Sequence, residues 1–146
     1  MTVSDYDRSS SLAVLIKTVH QALRAELDAE LKDAGLTLPQ LSLLATLAKR
    51  PGASNAELAR GAFVSAQSMG ELLAVLKKQR LIAQSPHPEN ARILQASLTA
   101  EGRKVLKRGG KSVAQVEAKL AAAFTADEHK KFKQALERCA AVLTGD

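Results

Sequence analysis

The chain has 146 residues and a mass of 15.5 kDa, with 46% hydrophobic but only 3% aromatic residues, enough for one mainly helical domain with its own core. No apolar run reaches membrane-spanning length, and the start from Met1 to Arg8 lacks the basic-then-apolar layout of a secretory leader, so a cytoplasmic protein with no membrane partner is expected. The single Cys139 excludes an internal disulfide and any cysteine-rich zinc motif. The net charge of +6 is unevenly placed: residues 77–111 carry nine basic and two acidic side chains, a local net of +7, while the remainder nets −1. Such a block is the footprint of a surface facing phosphates, with a solvated helix face as the plainer alternative.

In chain order, Leu12, Leu15, Ile16, Val19, Leu23, Leu27 and Leu31 recur every three or four residues, with Lys17, Arg24, Asp28 and Lys32 elsewhere on the wheel. This spacing predicts an amphipathic helix closed by Gly35. Thr37-Leu38-Pro39-Gln40 predicts a capping box opening a second helix, with Leu41, Leu44, Leu47 and Ala48 inward and Arg50-Pro51-Gly52 ending it. Ser54-Asn55-Ala56-Glu57 repeats the capping pattern for a third helix of barely two turns, with Leu58, Ala59 and Ala62 inward. Ser65 then caps a fourth, longer helix running to Gln79, whose stripe is Met69, Leu72, Leu73 and Leu76.

Leu81 to Gln84 and Arg92 to Leu98 alternate weakly, as half-buried strands do, with Leu94, Ala96 and Leu98 on one side. The segment Ser85 to Asn90 between them predicts a hairpin tip in which Asn90 takes left-handed backbone, with Arg92 just past it. A fifth helix starts at Thr99-Ala100-Glu101 and carries Val105, Leu106, Val113, Val116, Leu120 and Phe124 on one side. Gly109-Gly110 interrupts it at about 1 kcal/mol per Gly relative to Ala, which predicts a bend. Thr125-Ala126-Asp127-Glu128 caps a sixth helix with the stripe Phe132, Leu136, Cys139, Ala140 and Leu143.

Helix, turn, helix and β-hairpin in that order form a winged helix-turn-helix, which sets one helix in the DNA major groove with a basic hairpin beside it. The expected fold is mainly α with a small β-wing: one domain over 1–146, a winged core at 36–98, and dimerisation helices at 12–33 and 100–143. The last assignment follows from the long apolar stripes of the first, fifth and sixth helices, which a core of about 60 residues covers only in part. Packing against a second copy across a two-fold axis covers the rest, and an intramolecular bundle is the alternative.

The helix from Ser65 is polar at its start. Gln67 offers bidentate contact to adenine and Ser68 a contact to either base type, against the alternative of plain solvent-facing residues. Ser65 is a cap whose hydroxyl or neighbouring amides can also meet a phosphate. Lys77, Lys78 and Arg80 are phosphate-contact candidates, and Arg92 at the wing suits a narrow, electronegative minor groove. Cys139, on an apolar stripe, reads as a packed thiol rather than a redox sensor. His20, His87 and His129 lack metal-ligand spacing, and no nucleophile-base pattern or phosphate-binding glycine loop is present, so neither a metal, a cofactor nor an enzyme activity is expected.

Together these segments resemble the MarR (multiple antibiotic resistance regulator) family of bacterial transcription factors. The residues that carry the resemblance are Leu36-Thr37-Leu38-Pro39-Gln40-Leu41, Asn55-Ala56-Glu57-Leu58-Ala59, Val64 to Met69 with Leu72-Leu73, Leu76 and Leu81-Ile82, Asn90-Ala91-Arg92, and Ser97 to Gly102. The resemblance implies a homodimeric, DNA-binding regulator, a repressor on a pseudo-palindromic operator, with the helix from Ser65 in the major groove and Arg92 in the minor groove. It also implies a small aromatic effector between the dimerisation and DNA-binding regions, in a cavity bounded by Ile16, Val19, Leu44 and Val105 with His20 as polar contact. Three positions depart from the family pattern: Glu71 where many relatives carry Arg, Arg80 in place of the Gly that usually ends this helix, and Asn90 in place of the wing's Asp. Gly70 and Glu71 motivate the rival reading, a winged-helix interaction module that has lost sequence-specific DNA binding.

Overall fold

A computed structural model describes residues 11–62 and 64–145; the start from Met1 to Arg8 lies outside them. The elements are α1 (Leu12–Lys32), α2 (Leu38–Lys49), β1 (Ala53–Ser54), α3 (Asn55–Gly61), α4 (Ala66–Lys78), β2 (Ile82–His87), β3 (Asn90–Leu98), α5 (Ala100–Ala121) and α6 (Ala126–Thr144). The chain divides into two compact units between Val113 and Ala114, within α5.

Local capping decides where α2, α3 and α6 begin. In α2 the Thr37 N–H donates to Gln40 Oε1 at 2.9 Å and the Gln40 N–H returns to Thr37 Oγ1 at 3.4 Å. Ser54 with Glu57 and Thr125 with Glu128 close the same reciprocal box at α3 and α6. Each box satisfies two backbone groups that a helix start leaves without partners.

The core of the first unit joins Leu31 of α1, Leu36, Leu41, Leu43, Leu44 and Leu47 at α2, Leu58 and Ala59 of α3, Met69, Leu73 and Leu76 of α4, and Ile82, Ala96 and Leu98 of the sheet. Two expectations for inward faces are corrected here. Ala48 and Ala62 are exposed, and in α2 Leu43 is buried as well because the face of that helix that meets the core is wider than one stripe.

The sheet runs β1-β3-β2, antiparallel throughout, with Ala53 opposite Ala96 and Ile82 opposite Leu98. Strand β1 has no counterpart in the sequence reading, since two residues carry no periodicity. It forms because the Gly52 N–H, in a turn at φ 84°, donates to the Ala96 carbonyl at 2.9 Å. Pro86 stays within β2, opposite Leu94; β2 is an edge strand, where a missing N–H costs no ladder bond. The hairpin tip therefore shrinks to Pro88-Glu89 between the paired His87 and Asn90. Asn90 is not left-handed; its Oδ1 instead accepts from the Arg92 N–H at 3.1 Å.

Arg80 takes the left-handed conformation, φ 59°, the sole non-glycine to do so among the described residues. Its N–H donates to the Lys77 carbonyl at 2.9 Å and the Leu81 N–H to the Leu76 carbonyl at 3.0 Å. This is the Schellman ending of a helix, with buried Leu76 and Leu81 at the paired apolar positions. Helix α5 is continuous through Gly109 and Gly110 rather than interrupted. Gly109 is needed for space, because a Cβ there would lie 2.7 Å from Leu41 Cδ1 and 3.2 Å from Leu36 Cδ1.

In the second unit Phe124 stacks on Phe132, centroids 5.0 Å apart, and meets His129 edge-on. No residue of α6 is buried, and Cys139 is exposed, not packed, in the single chain. The apolar stripes expected to face a second copy are bare: Leu12 is 73% exposed and Leu143 83% exposed, with Ile16, Val19 and Leu136 near half.

Candidate nucleic-acid interface

Helix α4 is built to present its first turn. Ser65 Oγ accepts from the Ser68 N–H at 3.1 Å and donates to Ser68 Oγ at 2.9 Å, so the cap hydroxyl is used within the helix start. Asn55 Nδ2 reaches the Ala66 carbonyl at 3.4 Å and ties α3 to that turn. With Met69, Leu73 and Leu76 locked in the core, Gln67, Ser68 and Glu71 face outward. Gln67 Nε2 donates to Glu71 Oε1 at 3.4 Å, which leaves the Gln67 carbonyl and the second Glu71 oxygen as acceptors. That pair suits the amino group of adenine or cytosine in a major groove.

At the other end of α4, about 20 Å away at 1.5 Å per residue, Lys77, Lys78 and Arg80 are all exposed. Arg92 is exposed near the tip of the wing. The seven residues singled out from the sequence, Ser65, Gln67, Ser68, Lys77, Lys78, Arg80 and Arg92, thus belong to one unit, on α4, its ends and the wing.

The five residues assigned to an effector cavity are not gathered in that way. Leu44 is fully buried and Val105 nearly so, both as filled core positions, while Ile16, Val19 and His20 lie exposed on α1. An open cleft of this unit is elsewhere. It has a volume of about 1010 Å³ between α2, α3 and the start of α4, floored by Leu43, Leu58, Met69 and Leu72 and edged by Pro39, Val64, Arg50 and Glu57. Sequence periodicity carries no sign of it, because it lies between elements and not along one. The Ser54 backbone N–H, then the Ser54 hydroxyl, hold the Glu57 carboxyl below the usual glutamate range against an opposing desolvation, and Arg60 and Arg50 add smaller effects in the same lowering direction. Among the described residues no cluster of His, Cys, Asp and Glu is placed to hold a metal ion, and no helix is long and apolar enough to cross a membrane.

A family model described as MarR family matches residues 34–93, from the turn before α2 to the wing. The HTH-type transcriptional repressor Rv2887 of Mycobacterium tuberculosis is 39% identical over 127 residues, spanning 87% of this chain and 91% of that protein. This chain belongs to the MarR family. Two crystal structures of the M. tuberculosis MarR family protein Rv2887 share the fold. The complex with DNA matches with a TM-score of 0.74 at 37% identity, covering 89% of this chain and 98% of that one. The complex with salicylic acid matches with a TM-score of 0.71 at 36% identity, covering 94% and 99%. As a member of the MarR family, the chain keeps the winged helix, and Glu71, Arg80 and Asn90, the positions expected to depart from the family pattern, each have the local partner or backbone geometry described above.

Proposed function

We propose that this chain is a DNA-binding transcriptional regulator, a cytoplasmic repressor that binds a pseudo-palindromic operator as a homodimer and is released by a small aromatic effector. It acts through binding equilibria and not through catalysis. The observation that carries the reading is the exposed polar turn Gln67-Ser68 with Glu71, held on a core-locked helix between a basic end and the Arg92 wing. The DNA complex of a 37% identical relative supports it. The bare stripes of α1 and α6 support a homodimer, whose two-fold axis would place two half-sites about one helical turn apart.

The effector part rests on a relative's complex with salicylic acid and on the cleft behind α4. Ser68, Met69 and Leu72 belong both to that cleft and to the groove-facing helix, so a ligand seated there alters the helix that meets DNA. The ligand must favour the released conformation, since equal affinity for both states shifts nothing.

The test is selection of bound duplexes from a random pool by the full chain. The expected result is an enriched, two-fold related sequence. A protein that retains no duplex above background would instead be the interaction module for which Gly70 and Glu71 argue.

A further inference from the structure

Helix α5 carries a charged face that the contacts above leave unused. Lys104, Lys107, Arg108 and Lys111 are exposed at spacings of three and four residues, opposite the face on which Gly102, Val105 and Gly109 meet the core. They line a shallow depression of about 340 Å³ with Glu101 as its single acid. Among the described residues the acid in ion-pair range is that Glu101, 4.0 Å from Arg108, with both side chains more than half exposed.

This placement gains nothing from helix electrostatics. Lys77 and Lys78 lie in the last turn of α4, where cations complement the negative end of the helix dipole. The α5 cations instead lie beyond the first turn of the helix, outside the reach of its dipole, and stand one turn from like charges. Among the described residues the exposed Glu101–Arg108 pair is what offsets that repulsion. The start of α5 is also tied to the basic end of α4. Thr99 Oγ1 donates to the Arg80 carbonyl at 2.7 Å, and Gly102 packs so closely on the Leu81 carbonyl that a Cβ there would collide with it. The first turn of α5 therefore abuts Arg80, and the basic segments Lys77 to Arg80 and Lys104 to Lys111 lie on adjoining elements of one unit.

We propose that this α5 face is a second phosphate-binding surface, which engages the backbone of double-stranded DNA flanking the segment read by α4. The inference rests on the DNA-binding reading and extends the contact beyond the winged helix. Its selectivity is for phosphate spacing and not for sequence, as expected of lysines that reach no base edge.

The experiment measures affinity on two duplexes, the minimal selected site and the same site with about ten base pairs of random flank on each side, one further helical turn. The proteins are the wild type, Lys104→Gln/Lys107→Gln/Arg108→Gln/Lys111→Gln, and the charge-keeping Lys104→Arg/Lys107→Arg/Lys111→Arg. Thermal melting of each confirms the fold. The wild type and the arginine variant should gain about tenfold from the flanks, and the glutamine variant should lose that gain, with its salt slope on the long duplex flatter by about three units. An equal gain in the glutamine variant, or no gain in the wild type, overturns the proposal while leaving the α4 contact intact. Binding of phosphatidylglycerol vesicles without any flank effect assigns the face to a lipid surface and equally overturns it. Failure of the wild type to bind even the minimal site fails the DNA reading itself.

Discussion

The Thr99 hydroxyl donates to the Arg80 carbonyl at 2.7 Å, across 19 residues of sequence, and so ties the end of the groove-facing helix to the start of α5. Arg80 holds this position in left-handed backbone, φ 59°, where a side chain is strained by about 1–2 kcal/mol relative to Gly. Part of that strain is recovered, because Gly is more flexible in the unfolded chain.

Arg80→Gly should therefore stabilise the fold by about 0.5–1 kcal/mol in chemical denaturation. It should also weaken DNA binding on all sequences alike, flattening the salt slope by about one unit. A stabilised variant with unchanged salt dependence would show that Arg80 faces no phosphate.

The adjacent glycines of α5 should behave oppositely. Gly110 has open space around its Cβ position, so Gly110→Ala should stabilise by about 0.8–1 kcal/mol through helix propensity alone. Gly109→Ala places a methyl 2.7 Å from Leu41 Cδ1 amid buried leucines. Overpacking there should outweigh the propensity gain and leave a net loss of about 1 kcal/mol. Equal stabilisation of both variants would contradict the close packing.

These glycines mark where the sequence stops being legible. The three capping boxes were readable because each is a four-residue event between a hydroxyl and a carboxyl or amide group. Gly109 looked like an interruption, since a sequence shows the missing side chain but not the Leu31, Leu36 and Leu41 that occupy its space. Left-handed backbone was expected at Asn90 on residue preference. It occurs at Arg80 because burying Leu76 and Leu81 closes the helix there regardless of the residue between them. The start of α4 was legible from its Ser65 cap, whereas the wing's turn was not and the cleft between α2, α3 and α4 is a tertiary feature.

Acid should weaken the fold through the capping boxes. The backbone N–H of Ser54, and likewise that of Thr125, donates to a charged carboxylate and holds Glu57 and Glu128 below the ordinary glutamate range. A carboxyl depressed in the folded state contributes stability that is present above its unfolded value, about 4.3, and is lost as pH falls through the folded one. Glu57→Gln/Glu128→Gln keeps the hydrogen bonds without the charge, so its melting temperature should fall less steeply below that pH than the wild type's. Parallel acid profiles would contradict the assignment.

Assembly is tested by charge on a bare stripe. The wild type should sediment at about twice 15.5 kDa at micromolar concentration. Leu136 is exposed in the single chain, so Leu136→Lys should keep its helical circular dichroism yet dissociate, because an unpaired buried ammonium costs several kcal/mol at an interface. A monomeric wild type at that concentration would contradict the homodimer.

The most direct measurement is the affinity of Gln67→Ala and Lys78→Ala for the selected site, for that site with each base pair changed in turn, and for random duplex. If α4 reads the groove, Gln67→Ala should lose about 1–3 kcal/mol on the selected site and relax preference at one base pair. Lys78→Ala should weaken selected and random duplexes by the same factor. Equal loss from both variants on specific and random DNA would contradict the central claim that the first turn of α4 reads sequence.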